Sequence, residues 1–192
     1  MKTKVKELAT VQMGYSFRSR LESVANGNVA VIQMKDLLDD NKVGCDDLIK
    51  VDMETVKDHH LARKGDLIFR SRGQVINAAI LLDDPERAVV AAPLLRIRVV
   101  KPQRLLPEYL NWYINQRDAQ AYLASRTKGT VLKMIGIQAI EDLEISLPSL
   151  DKQKTIVELV SLSAREQVLL HALAEKRKQY ITKKLMLFAK GE

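Results

Sequence analysis

Arginine is the residue whose distribution in this chain most strongly suggests a chemical role. Residues 59–133 contain nine arginines and four lysines against six acidic residues, whereas residues 35–58 contain eight acids against four lysines. A planar guanidinium donates paired hydrogen bonds to a phosphate or to a guanine edge, which the point charge of lysine cannot do. One face of the protein is therefore predicted to be basic and suited to nucleic acid, and another to be acidic.

Three segments place hydrogen-bond donors in loop-like sequence. Residues 70–77 rank first, because Gly73 permits close backbone approach to a ligand. Residues 126–133 rank second and residues 16–20 third. The residues predicted to contact DNA are Ser16, Arg18, Arg20, Arg70, Arg72, Gln74, Asn77, Arg126, Lys128, Thr130 and Lys133.

Within this set, base contacts and phosphate contacts are expected from different side chains. Arg72 and Gln74 can present paired hydrogen bonds to a purine edge, so they are assigned to bases. Lys128 and Lys133 act as point charges and are assigned mainly to phosphates. The competing structural interpretation is that Arg70 pairs with a nearby acid and that the loop around Lys128 is only solvated surface.

The sequence offers little catalytic or metal-binding chemistry. It contains neither a glycine-rich phosphate loop nor a nucleophile elbow, and its three histidines (His59, His60 and His171) have no accompanying cysteine or histidine cluster. We therefore predict no catalytic residue, no metal site and no cofactor. Asp40 and Lys42 have the acid-x-lysine spacing found in many nucleases, a short pattern that recurs by chance.

Composition indicates a folded protein of the cytoplasm. The chain has 192 residues, of which 46% are hydrophobic and 29% charged, as is ordinary for soluble globular proteins. No apolar run approaches the roughly 20 residues of a membrane span, and the first residues lack the apolar core of a signal peptide. The single cysteine, Cys45, fits a reducing compartment. We predict a cytoplasmic protein with no membrane partner.

The pattern of apolar residues up to position 148 predicts alternating strands and short helices in a mixed sheet. Residues 94–100 alternate apolar residues with Arg96 and Arg98, so one side is expected to be buried and the other to present arginines. Pro107 is suited to the first turn of a helix that continues to about Ser125. The other expected elements are a short helix over 5–11 and strands over 28–34, 47–51, 66–71, 78–82 and 143–147.

The last quarter of the chain has a different pattern. From residue 151 to residue 189 there is neither proline nor glycine, and apolar residues recur at steps of three and four, which predicts one long helix with an apolar face. Ser149 is a possible N-cap. At about 1.5 Å per residue the helix would be roughly 58 Å long, more than one domain of this size can cover. The chain is thus predicted to be α+β, with one mixed-sheet domain (1–148) and one long helix (149–192).

Several motifs, in this order, resemble the specificity subunits of type I restriction-modification systems. Those in the first half are Gly14-Tyr15-Ser16-Phe17, Val31-Ile32 to Asp36-Leu37, and Lys64-Gly65-Asp66-Leu67-Ile68-Phe69-Arg70-Ser71-Arg72-Gly73. Those in the second half are Leu106-Pro107-Glu108-Tyr109-Leu110, Lys128-Gly129-Thr130, and Leu143 to Leu150 leading to Gln153 and Ile156. The resemblance covers nearly the whole chain.

The resemblance implies a DNA target-recognition domain followed by a helix that spaces such domains and docks methyltransferase subunits. Full-length members have two of each, so this chain looks like a half-subunit that reads one half of a split double-stranded DNA site. Methylation and cleavage would belong to methyltransferase subunits and, through them, a restriction subunit. A homodimer is expected through antiparallel coiled-coil pairing of the helix. The residues predicted to serve that contact are Ile156, Leu159, Leu170, Leu173, Tyr180, Ile181 and Leu185.

Two other classes of function remain open from the residues alone. A stand-alone dimeric DNA-binding regulator would also be basic and non-catalytic, although no helix-turn-helix spacing is apparent. A metal-dependent nuclease built around Asp40 and Lys42 would need further acids converging on the metal. Cleavage of DNA by the pure chain with magnesium would distinguish the nuclease from both binding functions.

Overall fold

The computed structural model describes residues 2–73, 75–127 and 134–191. Gln74, Lys128, Thr130 and Lys133, which were predicted to contact DNA, lie outside the described residues. The chain divides into two compact units, residues 1–154 and residues 155–192. No helix in the described ranges has the length and apolar content needed to cross a membrane.

The first unit is built from short strands and helices. Its helices are α1 (Pro107–Ile114), α2 (Arg117–Ala124) and α3 (Ile137–Glu141), together with 3₁₀ turns at Val5–Glu7, Met34–Asp36 and Asp58–His60. Its strands are β1 (Lys2–Lys4), β2 (Ala9–Met13), β3 (Val29–Ile32), β4 (Ile49–Val51), β5 (Leu67–Phe69), β6 (Ala78–Ile80), β7 (Ala88–Val90), β8 (Leu95–Val99) and β9 (Glu144–Ser146).

The strands form three small sheets. One has the order β2-β8-β5-β6 and is antiparallel throughout. A second has the order β4-β3-β7, in which β3 pairs antiparallel with β4 and parallel with β7. The third is the antiparallel pair β1-β9, which joins the two ends of the first unit. The predicted mixed-sheet α+β class is confirmed.

The core lies around the middle of the four-stranded sheet. Every residue of β5 is fully buried, as are Leu95 and Ile97 of β8, which pair with Phe69 and Leu67 respectively. A strand buried on both faces loses the polar alternation of a surface strand, which explains the unbroken Leu-Ile-Phe run. Removal of these side chains from water is the main source of stability for the unit.

Two sequence-based helix predictions were wrong. Residues 5–11 do not form a helix: a 3₁₀ turn is followed by β2, whose backbone pairs with all five residues of β8. The predicted helix over 107–125 is instead α1 and α2, with a break at Asn115. The Asn115 side chain donates to the carbonyl of Ala78 and accepts from its amide, so it occupies the hydrogen-bonding position of a strand partner for β6. Strand β7 was not predicted.

The prediction for the two arginines of β8 was also wrong. Arg96 is only 6% exposed and Arg98 is half-buried, whereas both were expected to face solvent. The reason is a buried carboxylate: Arg98 donates two hydrogen bonds of 2.7 Å to Asp66, which is 1% exposed. The charges on β8 therefore serve the interior of the unit rather than its surface.

Helix α4 (Leu150–Ala189) confirms the predicted long helix. Its first turn belongs to the first unit, where the fully buried Gln153 donates to the carbonyls of Arg104 and Pro148 and accepts from the amide of Leu106. In the second unit, Ile156 is half-buried, and the remaining side chains predicted to mediate pairing are about half exposed or more: Leu159, Leu170, Leu173, Tyr180, Ile181 and Leu185. The pairing itself remains a prediction.

Candidate nucleic-acid interface

Two of the three predicted DNA-contacting loops attach to the segment 90–94. Tyr15, which begins the loop of Ser16, Arg18 and Arg20, donates its amide to the carbonyl of Val90 at 2.6 Å and accepts from the amide of Ala92 at 2.9 Å. Gly14 makes this approach possible, because a Cβ atom there would lie 2.7 Å from the carbonyl oxygen of Val90. The first loop is thus held at the C-terminal end of β7.

Ser71 attaches a second loop to the same segment. Its hydroxyl donates to the carbonyl of Pro93 at 2.6 Å, and its own carbonyl accepts from the amide of Ile135 at 2.8 Å. Next to it, Arg72 and Met134 form an antiparallel bridge. Residues 70–77 are therefore joined to Met134 and Ile135, which follow the 126–133 segment, and the loops of residues 16–20 and 70–77 both attach to residues 90–94.

Three arginines and a serine on these loops are exposed. Arg18, Arg20 and Arg72 form no ion pair with any carboxylate in the part of the chain that the structure describes, and Ser16 is also exposed. Their positive charge is consequently available to a ligand.

An open cleft separates the first loop from residues 51–55. It is lined by Arg18 and Arg20 but also by Glu22, Asp52 and Glu54. The face beside this loop is therefore of mixed charge, and a polyanion would meet attraction along the arginine side and repulsion along the acidic side. The acids restrict how DNA can lie across the loop.

Arg126 lies in a different environment. Its guanidinium carbon is 3.6 Å from the centroid of the Tyr122 ring, and Nη1 donates to the Ser125 hydroxyl at 3.1 Å. The residue lines a cavity together with Lys2 and Lys4 of β1. Arg126 is exposed, so stacking on the ring fixes the direction of the guanidinium while leaving its charge on the surface.

Two of the predicted contact residues are engaged inside the unit. Arg70 donates from Nη2 to the carbonyl of Met34 at 2.9 Å, and its amide donates to the carbonyl of Asn77 at 2.8 Å. The Asn77 amide group donates to Oδ1 of Asn41 at 3.1 Å. Both side chains fix the base of the 70–77 loop, which is close to the structural role that was considered for Arg70, with carbonyls in place of an acid.

Asn41 is the hub of this arrangement, and sequence reasoning did not select it. Its φ angle is +60°, a left-handed conformation that asparagine tolerates better than most residues. Its carbonyl accepts from the amide of Ile80 and from the side chain of Asn111, a buried residue of α1. The repeated Asn111 and Asn115, four residues apart on one helix face, are the sequence signal that could have indicated it, because such residues lie side by side.

Asp66 and the β8 arginines form a second polar network, which braces the four-stranded sheet. Hydrogen bonding to Asp66 raises the pKa of Arg98, whereas burial is the main reason that the pKa of Arg96 is lowered. Arg96 lies 3.9 Å from the carboxylate and donates instead to the carbonyl of Leu61 and to Gln12. The cluster leaves neither arginine available for DNA.

The residues that the sequence singled out as metal or nuclease candidates lie in separate, simple contacts. Within 2–73, 75–127 and 134–191, no group of three or more His, Cys, Asp or Glu side chains is arranged to hold a metal ion. Asp40 and Lys42, the nuclease-like pair, form an exposed ion pair of 2.6 Å. The rings of His59 and His60 contact each other at 4.2 Å, and His60 also contacts Tyr15.

Solved structures whose fold is similar to that of this chain include the following three. A chain from a study of complex assembly and conformational transition of the type I R-M system has a TM-score of 0.69 and 18% identity, over 92% of this chain and 41% of that one. The HsdS subunit from Thermoanaerobacter tengcongensis has a TM-score of 0.63 and 19% identity, over 88% and 38%. The type I S subunit from M. genitalium has a TM-score of 0.57 and 14% identity, over 93% and 42%.

This chain thus spans about two fifths of the length of each of those solved chains. No curated protein sequence gave a match. The model of one protein family, the type I restriction modification DNA specificity domain, matches residues 1–181. That match includes the three segments predicted to contact DNA and most of α4, so the chain belongs to the type I restriction modification DNA specificity domain family.

Proposed function

We propose that this chain reads one half of a split double-stranded DNA site within a type I restriction-modification complex and contributes no catalytic residue of its own. The observation that carries the proposal is the attachment of two loops, residues 16–20 and 70–77, to residues 90–94, with Arg18, Arg20 and Arg72 exposed. Loops held on a rigid sheet edge present their side chains in a fixed arrangement, which base reading requires.

Within that surface, Arg72 and Gln74 contact base edges, while Lys128 and Lys133 contact phosphates. Arg72 supports this division because it is exposed, lacks an ion pair in the described ranges, and lies on a backbone bridge that fixes its position. Asn77 and Arg70 act as positioning residues in this proposal, since their side chains are engaged with Asn41 and the Met34 carbonyl. Thr130 and Arg126 are proposed as further DNA contacts.

The partners follow from the family. Methyltransferase subunits dock on α4, and a restriction subunit joins through them. One of the structures of similar fold concerns complex assembly of the type I R-M system, which supports the assignment of such partners. Catalysis by those partners would explain why the described residues present no metal-binding cluster.

A second copy of the chain is the proposed partner of the apolar face of α4. Leu170 is 58% exposed and Leu173 63% exposed, which is unfavourable for a leucine in water. Twofold pairing would make the complete DNA site a split palindrome. Leu173→Asp should weaken the dimer, as measured by light scattering, and leave the first unit folded; a clean wild-type monomer at tens of micromolar would count against self-pairing.

A binding titration with Arg72→Ala tests the proposed DNA reading. The variant should lose about 1 to 3 kcal/mol on the preferred duplex and little on a scrambled one. Lys128→Ala should weaken both duplexes alike and reduce the salt dependence by roughly one unit of slope. The titrations are run at several salt concentrations with the methyltransferase partner present.

Arg87→Ala is the matched control for Arg72→Ala. Arg87 is also an exposed arginine, and it precedes β7 at the end opposite to the loop attachment. The control should retain specific binding. Equal weakening of specific and scrambled DNA by Arg72→Ala would move Arg72 from base reading to phosphate contact.

A further inference from the structure

Charge is distributed unevenly along the second unit. Residues 176–190 carry six lysines and arginines and no acid, whereas residues 155–175 carry three glutamates and one arginine. A helix with an acidic first half and a basic second half is electrostatically complementary to an antiparallel copy of itself. In a parallel pair the two basic halves would lie side by side and repel.

Four exposed leucines of α4 and Tyr180 lie in one seam with two charged residues. Steps of three and four residues connect the apolar members of this seam, each between 61% and 63% exposed: Leu159, Leu162, Leu169, Leu173 and Tyr180. The same steps require Glu166 and Lys176 in the seam, and both are exposed. Alternating steps of three and four are the spacing of core positions in a two-stranded coiled coil. From Leu159 to Tyr180 the seam is therefore a coiled-coil surface interrupted by one negative and one positive position.

We infer that a second copy covers this seam in an antiparallel arrangement centred near His171, and that Glu166 and Lys176 set its orientation and register. The inference rests on the self-pairing proposed above. In this register Leu162 opposes Tyr180, Glu166 opposes Lys176 and Leu169 opposes Leu173 of the second copy, each twice by symmetry. Leu162, Leu169, Leu173 and Tyr180 then each meet another large apolar residue, and Glu166 and Lys176 meet each other. Leu159, at the end of the seam, lies opposite Lys183.

Other arrangements leave at least one of these charges unmatched. A parallel pair in register places Glu166 against Glu166 and Lys176 against Lys176, which brings like charges together inside the contact. An antiparallel pair shifted by one heptad in one direction places Glu166 opposite Leu169. A shift in the other direction gives Glu166 a partner in Lys183 but leaves Lys176 opposite an apolar side chain, that of Leu173. A polar core position selects the register in this way although it contributes less stability than leucine would.

Exchange of the two charges tests the register. Glu166→Lys places lysine opposite lysine in two layers, and Lys176→Glu places glutamate opposite glutamate. Each variant alone should dissociate at least about 100-fold more readily than the wild-type dimer, because like charges in a contact cost several kcal/mol. An equimolar mixture of the two variants should restore wild-type affinity as a heterodimer, and the double variant E166K/K176E should restore the homodimer. Analytical ultracentrifugation of the full chain gives the dissociation constants.

Glu175→Lys is the control, because it makes the same change of charge beside Lys176 at a position outside the seam. It should leave dimerisation within a few-fold of wild type. A monomeric wild-type chain would refute self-pairing itself. A wild-type dimer whose single variants remain dimeric, or whose mixture is not restored, would refute this register while leaving self-pairing intact.

Discussion

Two groups of arginines in the first unit carry the same charge in opposite environments. Arg96 and Arg98 surround the buried Asp66, whereas Arg18, Arg20 and Arg72 are exposed on loops without a carboxylate partner in the described ranges. The first group is fixed by contacts inside the unit and helps to stabilise it. The second group is free to contact a ligand, so the basic character of residues 59–133 overstates the charge that DNA could meet.

Removal of the shared carboxylate should have the largest effect. Asp66→Ala leaves two guanidinium groups in the interior without their partner, and we expect a loss of about 3 to 5 kcal/mol in the free energy of unfolding. Urea denaturation of the variant measures it. A loss below about 1 kcal/mol would show that the cluster is not a stabilising centre.

An exposed ion pair of similar geometry serves as the control for Asp66. Arg63 donates to both carboxylate oxygens of Asp58, at 2.8 and 2.6 Å, but the two side chains are 53% and 77% exposed. Asp58→Ala should therefore change the free energy of unfolding by less than about 1 kcal/mol. The difference in stability between the two variants would then come from the burial of the Arg–Asp pair rather than from its hydrogen-bond distances.

Substitution of Asn41 should have an intermediate effect on stability, because its side chain accepts a hydrogen bond from Asn77 at the base of the 70–77 loop. Asn41→Ala removes the acceptor for Asn77 and forces alanine into a left-handed conformation, for which we expect a loss of about 1 to 3 kcal/mol in stability. Asn41→Gly removes the same acceptor without the backbone strain and should lose less. Thermal unfolding of the two variants compares them; equal losses would assign the whole effect to the side chain.

Substitution of the exposed loop arginines should change DNA binding rather than stability. Arg18→Ala and Arg20→Ala together should leave stability within about 0.5 kcal/mol of wild type, since surface substitutions rarely exceed this. If both contact phosphates, the salt dependence of DNA binding should fall by roughly two units of slope. Unchanged slopes alongside unchanged stability would remove the first loop from the DNA surface.

Asp142 should give the smallest effect, visible in how stability changes as the pH falls. Hydrogen bonds from Gln138, Lys6 and Lys4 hold the pKa of its carboxyl well below the usual range. The folded state therefore releases this proton more readily than the unfolded chain, and the stabilisation is present above the ordinary aspartate pKa of about 3.9 and is lost as the pH falls below it. Asp142→Asn should reduce the loss of stability between about pH 6 and about pH 3, as compared by urea midpoints.

Elements whose cause is local were predicted correctly, and those whose cause is distant were not. The long α4, the Leu95–Val99 strand and Pro107 at a helix start follow from periodicity and backbone chemistry within a few residues. The inward direction of Arg96 depends on Asp66, which lies on a different part of the chain. Nothing in an alternating pattern distinguishes a buried arginine from an exposed one when its partner lies on another strand.

In the candidate site, too, features with a local cause were predicted and features that depend on distant residues were not. The three loops were selected from residue type, but the attachment of two of them to residues 90–94 depends on hydrogen bonds of Tyr15 and Ser71 with that distant segment. The roles of Arg70 and Asn77 could not be separated from that of Arg72 by sequence, since all three are polar residues of one loop. Their partners, the Met34 carbonyl and Asn41, come from the chain after β3.

The way the loops are attached has a consequence for how specificity can evolve. Val90 accepts through its main-chain carbonyl, and Ala92 and Ile135 donate main-chain amides, which any amino acid other than proline supplies. Only the Ser71 hydroxyl and the absent side chain of Gly14 impose a choice of residue among these attachments. If the loops read DNA as proposed, their sequences could therefore change, and with them the DNA sequence that is recognised, without redesign of the sheet.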